Sequence, residues 1–219
     1  MDFLAVCAHP DDFEVGISGI FLKAKKEGIN VGLIVMTMGE SGGYATAETR
    51  IAEGEASAKI LGLDYYRQLS FPDAGLRFSD DTIKGLIPYI RECSPRIIFT
   101  LHPEDYHPDH RAISQVVDAA AFSAGLKKYS TDGSDWHYDN IFYFSADGKT
   151  NRKRPDILVD ISDVIDNKIK ACNAHKSQNI TEMAIDMSKE YGKYANVEYA
   201  EGLYIRQPLV ISTSGALLK

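Results

Sequence analysis

The chain is short of cysteine, of excess positive charge and of long apolar runs, and each shortage closes off a class of function. Three cysteines occur in 219 residues: Cys7, Cys93 and Cys172. They are widely spaced and form no CxxC pair, so neither a disulfide framework nor a zinc ribbon is expected. A reducing compartment, the cytoplasm, is the expected location. Acidic residues outnumber basic ones, 31 against 24, for a net charge of −7. A nucleic-acid surface normally carries a basic stripe, so no nucleic-acid partner is expected. The longest apolar runs, such as 3–8 and 33–36, fall far below the roughly 20 residues of a spanning helix. No basic segment precedes an apolar stretch near Met1, so no membrane partner is expected either. The glycines of 39–43 fit neither GxGxxG nor a Walker pattern, which argues against a phosphate cradle.

What is present reads as one globular domain, residues 1–219, without internal repeats or low-complexity segments. Hydrophobic residues make up 44% and charged residues 25%, ordinary values for a packed domain. Short apolar runs at 3–8, 31–36, 65–69, 97–101, 141–145 and 157–161 predict strands, with late strands in 199–211. Helical spacing predicts helices at 14–27, 47–61, 81–93, 107–124, 163–173 and 181–194. Gly28 and Gly62 act as stops, and Pro88 lies inside its helix. The polar spans 131–138 and 147–154 read as surface loops. Alternation of buried strands with helices predicts an α/β fold, Rossmann-like and three-layered, with a mostly parallel central sheet.

The chemistry collects after two of these strands. The first ends in His9-Pro10-Asp11-Asp12, and the fourth leads into His107-Pro108-Asp109-His110. With strand order 3-2-1-4-5, strands one and four are neighbours where the order reverses, and ligands bind beyond the strand ends at such a point. Two His and an Asp leave an open position on a metal, the mark of a catalytic site. Surplus carboxylates there can serve as base or support. Either motif alone also reads as a turn and helix cap. Two such motifs, each after a buried strand, weigh against caps alone.

Ala8-His9-Pro10-Asp11-Asp12 with Glu14 and Gly16 resembles the first motif of the LmbE-like (PIG-L) zinc N-deacetylases. His107-Pro108-Asp109-His110 resembles their second. The likeness continues through Met38-Gly39-Glu40, Glu48-Thr49-Arg50 with Glu53, Leu61-Gly62 and Pro72-Asp73-Ala74-Gly75-Leu76. Segments 121–129, 159–163 and 175–178 are similar to the bacillithiol-pathway branch, which acts on N-acetylglucosaminyl malate. Ser18 stands where the family usually carries a glycine. The resemblance implies His9, Asp12 and His110 as zinc ligands, with Fe(II) or Co(II) also compatible. It implies Asp11 as general base, and His107 as oxyanion and leaving-group partner. A protonated His107 would be the donor, with Asp109 holding its ring and charge. Arg50 and Asp73 become substrate contacts, the arginine suiting a malate carboxylate and the aspartate sugar hydroxyls. A small N-acetylated sugar substrate and a homo-oligomer, trimer or hexamer, are also implied.

Several residues keep two readings. Cys7 faces the same side of its strand as His9 but reads as a core thiol. His102 is either a second-layer residue or a strand-end polar group, His137 reads as solvated, and the role of His175 is open. The leading function is zinc-dependent removal of an N-acetyl group from an amino-sugar conjugate. Its rivals are a deacetylase of diacetylchitobiose-type sugars, a non-catalytic nucleotide-binding module, and a structural zinc protein. The first loop holds His and Asp where a phosphate site needs glycines, and closed zinc sites favour four Cys-rich ligands.

Overall fold

A computed structural model of the chain describes residues 1–127, 129, 136–147 and 154–209. The order is β1 (Phe3–Cys7), α1 (Asp12–Gly16), α2 (Ser18–Lys26), β2 (Val31–Thr37), α3 (Ala47–Leu61), β3 (Tyr65–Phe71), α4 (Asp80–Cys93), β4 (Ile97–Leu101) and α5 (Pro108–Ala124). β5 (Asn140–Phe144), β6 (Ile157–Asp160), α6 (Ile165–Cys172), α7 (Thr181–Ala195) and β7 (Ala200–Ile205) follow. The strands form one sheet in the order β3-β2-β1-β4-β5-β7-β6. β1 pairs in parallel with both β2 and β4, as do β2 with β3 and β4 with β5. β7 runs antiparallel to β5 and β6. The expected α/β architecture is therefore present, and the order reverses between β1 and β4.

β1 and β2 are buried almost throughout because helices cover both sheet faces. Phe13, Phe21 and Phe99 meet edge to face beneath the site, with Phe3 against Phe21 and Phe99. Such offset ring contacts add about 0.5–1.5 kcal/mol per pair beyond area burial. α4 continues through Pro88. The carbonyl that this proline leaves unpaired belongs to Lys84, on an exposed turn where water can take the bond.

The expected helix 14–27 is broken. Ile17, at φ −144°, separates α1 from α2. Gly16 lies against the Phe144 ring so closely that a Cβ would overlap it. Past the break, the Glu201 carboxylate accepts the N–H groups of Gly19 and Ile20, at 2.8 and 2.7 Å. A group from the far end of the chain thus caps the restarted helix. Ser18 fits the tight spot by donating its hydroxyl to Glu14 O at 3.0 Å. The last strand among the described residues ends at Ile205, and positions 210–211 of the expected late strands lie outside those residues. So do most of the loops expected at 131–138 and 147–154. Trp136 corrects the first of these: it is buried and donates Nε1–H to Pro95 O at 2.9 Å. His137 is exposed, as expected. Among the described residues, no helix is long and apolar enough to cross a membrane.

Candidate metal centre and active site

The site forms where β1 and β4 stop. Thr37, at the end of β2, donates both its N–H and its hydroxyl to Ala8 O, at 3.1 and 2.9 Å, which pins the end of β1. The chain then turns through Asp11, whose φ is +125°. A non-glycine residue in that region stores on the order of 1–3 kcal/mol of strain and persists only where its surroundings hold it. α1 starts at once, and the Asp12 carboxylate accepts His9 N–H at 2.8 Å. From the β4 side, His107 N-caps α5 and Pro108 occupies the first helical position, which places His110 on the first turn facing β1.

His9 Nδ1 stands 3.2 Å from His110 Nε2 and 3.5 Å from Asp12 Oδ2. His110 Nε2 stands 3.1 Å from Asp12 Oδ1. Donors about 2.1 Å from a shared tetrahedral ion stand about 3.4 Å apart, so the three side chains are spaced for one. The far nitrogens fit as well. His9 Nε2 lies 3.1 Å from Asp73 Oδ1 and 3.3 Å from Asp109 Oδ2, and His110 Nδ1 lies 3.0 Å from Asp105 Oδ2. A metal-bound imidazole characteristically gives its other N–H to a carboxylate. Burial by itself lowers both histidine pKa values, but Asp12 and the other carboxylates reverse this, to about 12 for His9 and about 10 for His110. Acidic groups outweigh cations around these facing nitrogens, and a divalent cation answers both the charge and the spacing. Wider groupings of His9 with His107 and His110, and of His9 with Asp73 and Asp109, also gather donors within 4.8 Å.

Asp11 is beside this cluster and faces Arg50. Arg50 Nη1 donates to Asp11 Oδ2 at 3.2 Å and Nη2 to Pro10 O at 2.7 Å. Burial raises the Asp11 pKa to about 6, with Arg50 opposing the rise. Arg50 is only 2% exposed, so its charge is committed to the His9–Asp12 loop and not displayed to solvent. Gly39, at φ +68°, makes room for it, since a Cβ there would lie 2.6 Å from Arg50 Nε. Asp73 likewise has protein partners. Its carboxylate meets His9 and accepts the N–H groups of Ser41 and Ala74, each at 2.7 Å. Its pKa falls to about 2: burial opposes the fall, and the His9 contact and backbone donors produce it. Asp109 was expected to hold the His107 ring through its carboxylate. It meets that ring through its backbone N–H, 3.2 Å from Nδ1, while its carboxylate faces His9. His107 Nδ1 is therefore an acceptor. Burial, then His110 and His9, lower the His107 pKa, which together with the acceptor role of Nδ1 favours a neutral ring carrying its proton on Nε2 over the expected imidazolium.

These groups border a cavity of about 340 Å³ whose other wall carries Tyr106, Gln178, Ile180 and Met183. His9, Asp11, Asp12, Arg50, Asp73, His107 and His110 all line it, and Asp109 sits behind them, fully buried.

The model of the PIG-L family, described as GlcNAc-PI de-N-acetylase, matches residues 4–121, which hold both His/Asp motifs. The chain belongs to the PIG-L family. It is 30% identical to the diacetylchitobiose deacetylase of Thermococcus kodakarensis, over 91% of this chain and 81% of that protein. It is 28% identical to a probable N-acetyl-alpha-D-glucosaminyl L-malate deacetylase of Bacillus cereus, over 80% and 82% of the two chains. The crystal structure of a conserved protein from Thermus thermophilus superposes with a TM-score of 0.89 at 34% identity, covering 98% of each chain. The PIG-L chain described here is accordingly a hydrolytic N-deacetylase.

Further residues surround the site. Asp105 carried no signal in the sequence beyond being one acid near two histidines. Glu14 and His175, both buried, pair at 3.3 Å, and Ser57 donates to Glu14 at 2.5 Å. Glu53 accepts the N–H and hydroxyl of Ser177, at 2.8 and 2.7 Å, tying the segment after α6 to α3. The Gly39–Gly43 loop braces Asp73: Glu40 accepts Asp73 N–H at 2.9 Å. Cys7 is fully buried, and burial followed by Asp12 holds its thiol well above the ordinary pKa, so it is a protonated core group. His102 accepts Glu104 N–H at 3.1 Å and packs edge-on to Tyr204.

Proposed function

We propose that the protein removes the N-acetyl group of an N-acetylglucosaminyl conjugate with a divalent metal, zinc in the first instance, held by His9, Asp12 and His110. The observation that carries this reading is the convergence of His9 Nδ1, Asp12 and His110 Nε2 within 3.5 Å of one another beside Asp11. When bound, such a metal acidifies water and polarises the acetamide carbonyl. Asp11, with its pKa near 6, accepts the proton of the attacking water and returns it to the departing amine. The C–N bond breaks, acetate leaves, and the free amine remains on the sugar. His107 donates Nε2–H to the oxyanion that develops on the acetyl carbon. Arg50 keeps the Asp11 carboxylate oriented.

Two aglycones compete. The motifs at 121–129, 159–163 and 175–178 favour N-acetylglucosaminyl malate. The cavity wall favours a neutral sugar such as diacetylchitobiose, because the cationic side chain among its described lining residues is Arg50, already engaged by Asp11. Release of primary amine from both substrates tests the reading, with metal-loaded wild type beside Asp11→Asn. Asparagine tolerates positive φ, so the variant is expected to fold and to retain metal. Its turnover should fall about 10²- to 10⁴-fold, the usual contribution of a general base. Near-full activity with bound metal would remove Asp11 from the mechanism, and no release by wild type from either sugar would remove the substrate class.

A further inference from the structure

Asp105 belongs to neither His/Asp motif, and its side chain is buried completely. It lies in the connection between β4 and α5. Its two carboxylate oxygens face different targets. Oδ1 accepts the backbone N–H of His107 at 2.8 Å. Oδ2 lies 3.0 Å from Nδ1 of His110, a close charge contact without the alignment of a hydrogen bond. Its own backbone is held on both sides, Asp105 N donating to His102 O at 3.1 Å and Arg111 Nη1 donating to Asp105 O at 2.6 Å. One rigid carboxylate therefore fixes the main chain of one histidine of the second motif and the ring of the other.

We infer that Asp105 is the positioning residue that sets the tautomer of His110, holding the proton on Nδ1 and leaving Nε2 bare toward Asp12 and His9. The inference rests on the metal reading of the site and adds a residue to it. The opposite tautomer would point an N–H at His9 Nδ1, 3.2 Å away, and close the position to a cation. A carboxylate enforces the right tautomer because both of its oxygens accept and neither donates. An amide cannot replace it. If the asparagine oxygen stays on His107 N–H, its NH₂ faces His110 Nδ1 and demands an acceptor there. If the amide flips, the NH₂ opposes His107 N–H. Either way one of the two contacts is lost.

Asp105→Asn is the test, read by Zn²⁺ affinity through competition with a chromophoric chelator. The apparent Kd should rise about 10- to 100-fold, the usual cost of losing an outer-layer partner of a metal ligand. The metal-free variant should melt close to the wild type, because one of the two contacts survives. A purely structural brace predicts lower melting temperature and unchanged metal affinity, and that result would overturn the inference. A second measurement needs no variant. In ¹⁵N-histidine-labelled, zinc-loaded wild type, long-range proton–nitrogen correlation should place the His110 proton on Nδ1. A proton on Nε2 would refute the assignment even if the variant failed to fold. If wild type itself binds no divalent metal, the metal reading falls and this inference falls with it. If wild type binds and Asp105→Asn binds equally well, the metal reading stands and only the role of Asp105 is lost.

Discussion

Two buried clusters of charge sit at the two ends of α1, one at Asp12 and one at Val15, and they are built to different rules. At the Val15 end, Lys168 donates to Glu201 Oε1 at 2.6 Å and to Val15 O at 2.9 Å. Glu201 also accepts the N–H groups of Gly19 and Ile20. One cation meets one anion, both are almost fully buried, and surrounding backbone groups take the remaining bonds. At the Asp12 end, Asp11, Asp12, Asp73, Asp105 and Asp109 surround two imidazoles whose nitrogens face each other, with Arg50 as the buried cation and the exposed Arg77 4.0 Å from Asp109 Oδ1. Asp109 Oδ1 lies buried without a hydrogen-bond partner. The balanced pair is complete within the chain and serves the fold. The unbalanced cluster holds carboxylates in excess of cations, the charge pattern that a bound cation would answer and a structural ion pair would not need.

Breaking the balanced pair should produce the largest change in stability. Lys168→Met strands the Glu201 carboxylate and is expected to destabilise the protein by about 3–5 kcal/mol, read as a shift in denaturant midpoint. Zinc affinity, measured on the folded fraction, should hold, since the two clusters share no partner. A variant that lost metal binding as well would show that the clusters are one unit. Next comes the unbalanced cluster. Stripping metal with a chelator should abolish turnover, and restoring Zn²⁺ to about 100 times its Kd should add about 2.7 kcal/mol to stability. A melting temperature indifferent to zinc would break the comparison, because the unbalanced cluster would then need no ligand.

The smallest effect belongs to an exposed pair that sharpens the contrast with both. Asp64 accepts from Lys25 at 2.7 Å and from Val31 N–H at 2.8 Å. Its slight burial opposes the change, but these two donors lower its pKa. A carboxyl depressed on folding stabilises above its unfolded pKa and loses that contribution as pH falls through the folded value. Asp64→Asn should therefore cost less than about 1 kcal/mol at neutral pH. The difference from wild type should close as the pH drops below about 3.9, measured by urea titration at several pH values. A persistent difference in strong acid would mean that Asp64 acts through packing rather than charge.

Legibility followed the range of the signal. β1, β2, β4 and the helices after them were readable because burial on both faces writes continuous apolar runs into the sequence. His9, Asp11, Asp12, His107, Asp109 and His110 were readable because each set lies within four residues of chain. The break at Ile17 was not, because its cause is the Phe144 ring and the Glu201 carboxylate. Glu201 itself sits in a strand where a lone acid suggests solvent, yet it is 1% exposed. Arg50 and Asp73 were legible as neighbours of the site. Their partners, Asp11 for one and His9 for the other, were not.

Residue order alone specifies the layered α/β plan, the two His/Asp motifs and the strand ends that carry them. Those properties depend on residue type and local spacing, which the order of residues states directly. Which nitrogen faces which carboxylate, the approach of Asp109 to His9 and that of Asp105 to His110 come from the packed fold. Each of those depends on an ångström-scale approach between groups whose directions are set by packing: a carboxylate acts on whichever donor the fold brings within hydrogen-bond distance, and the chain order does not name it.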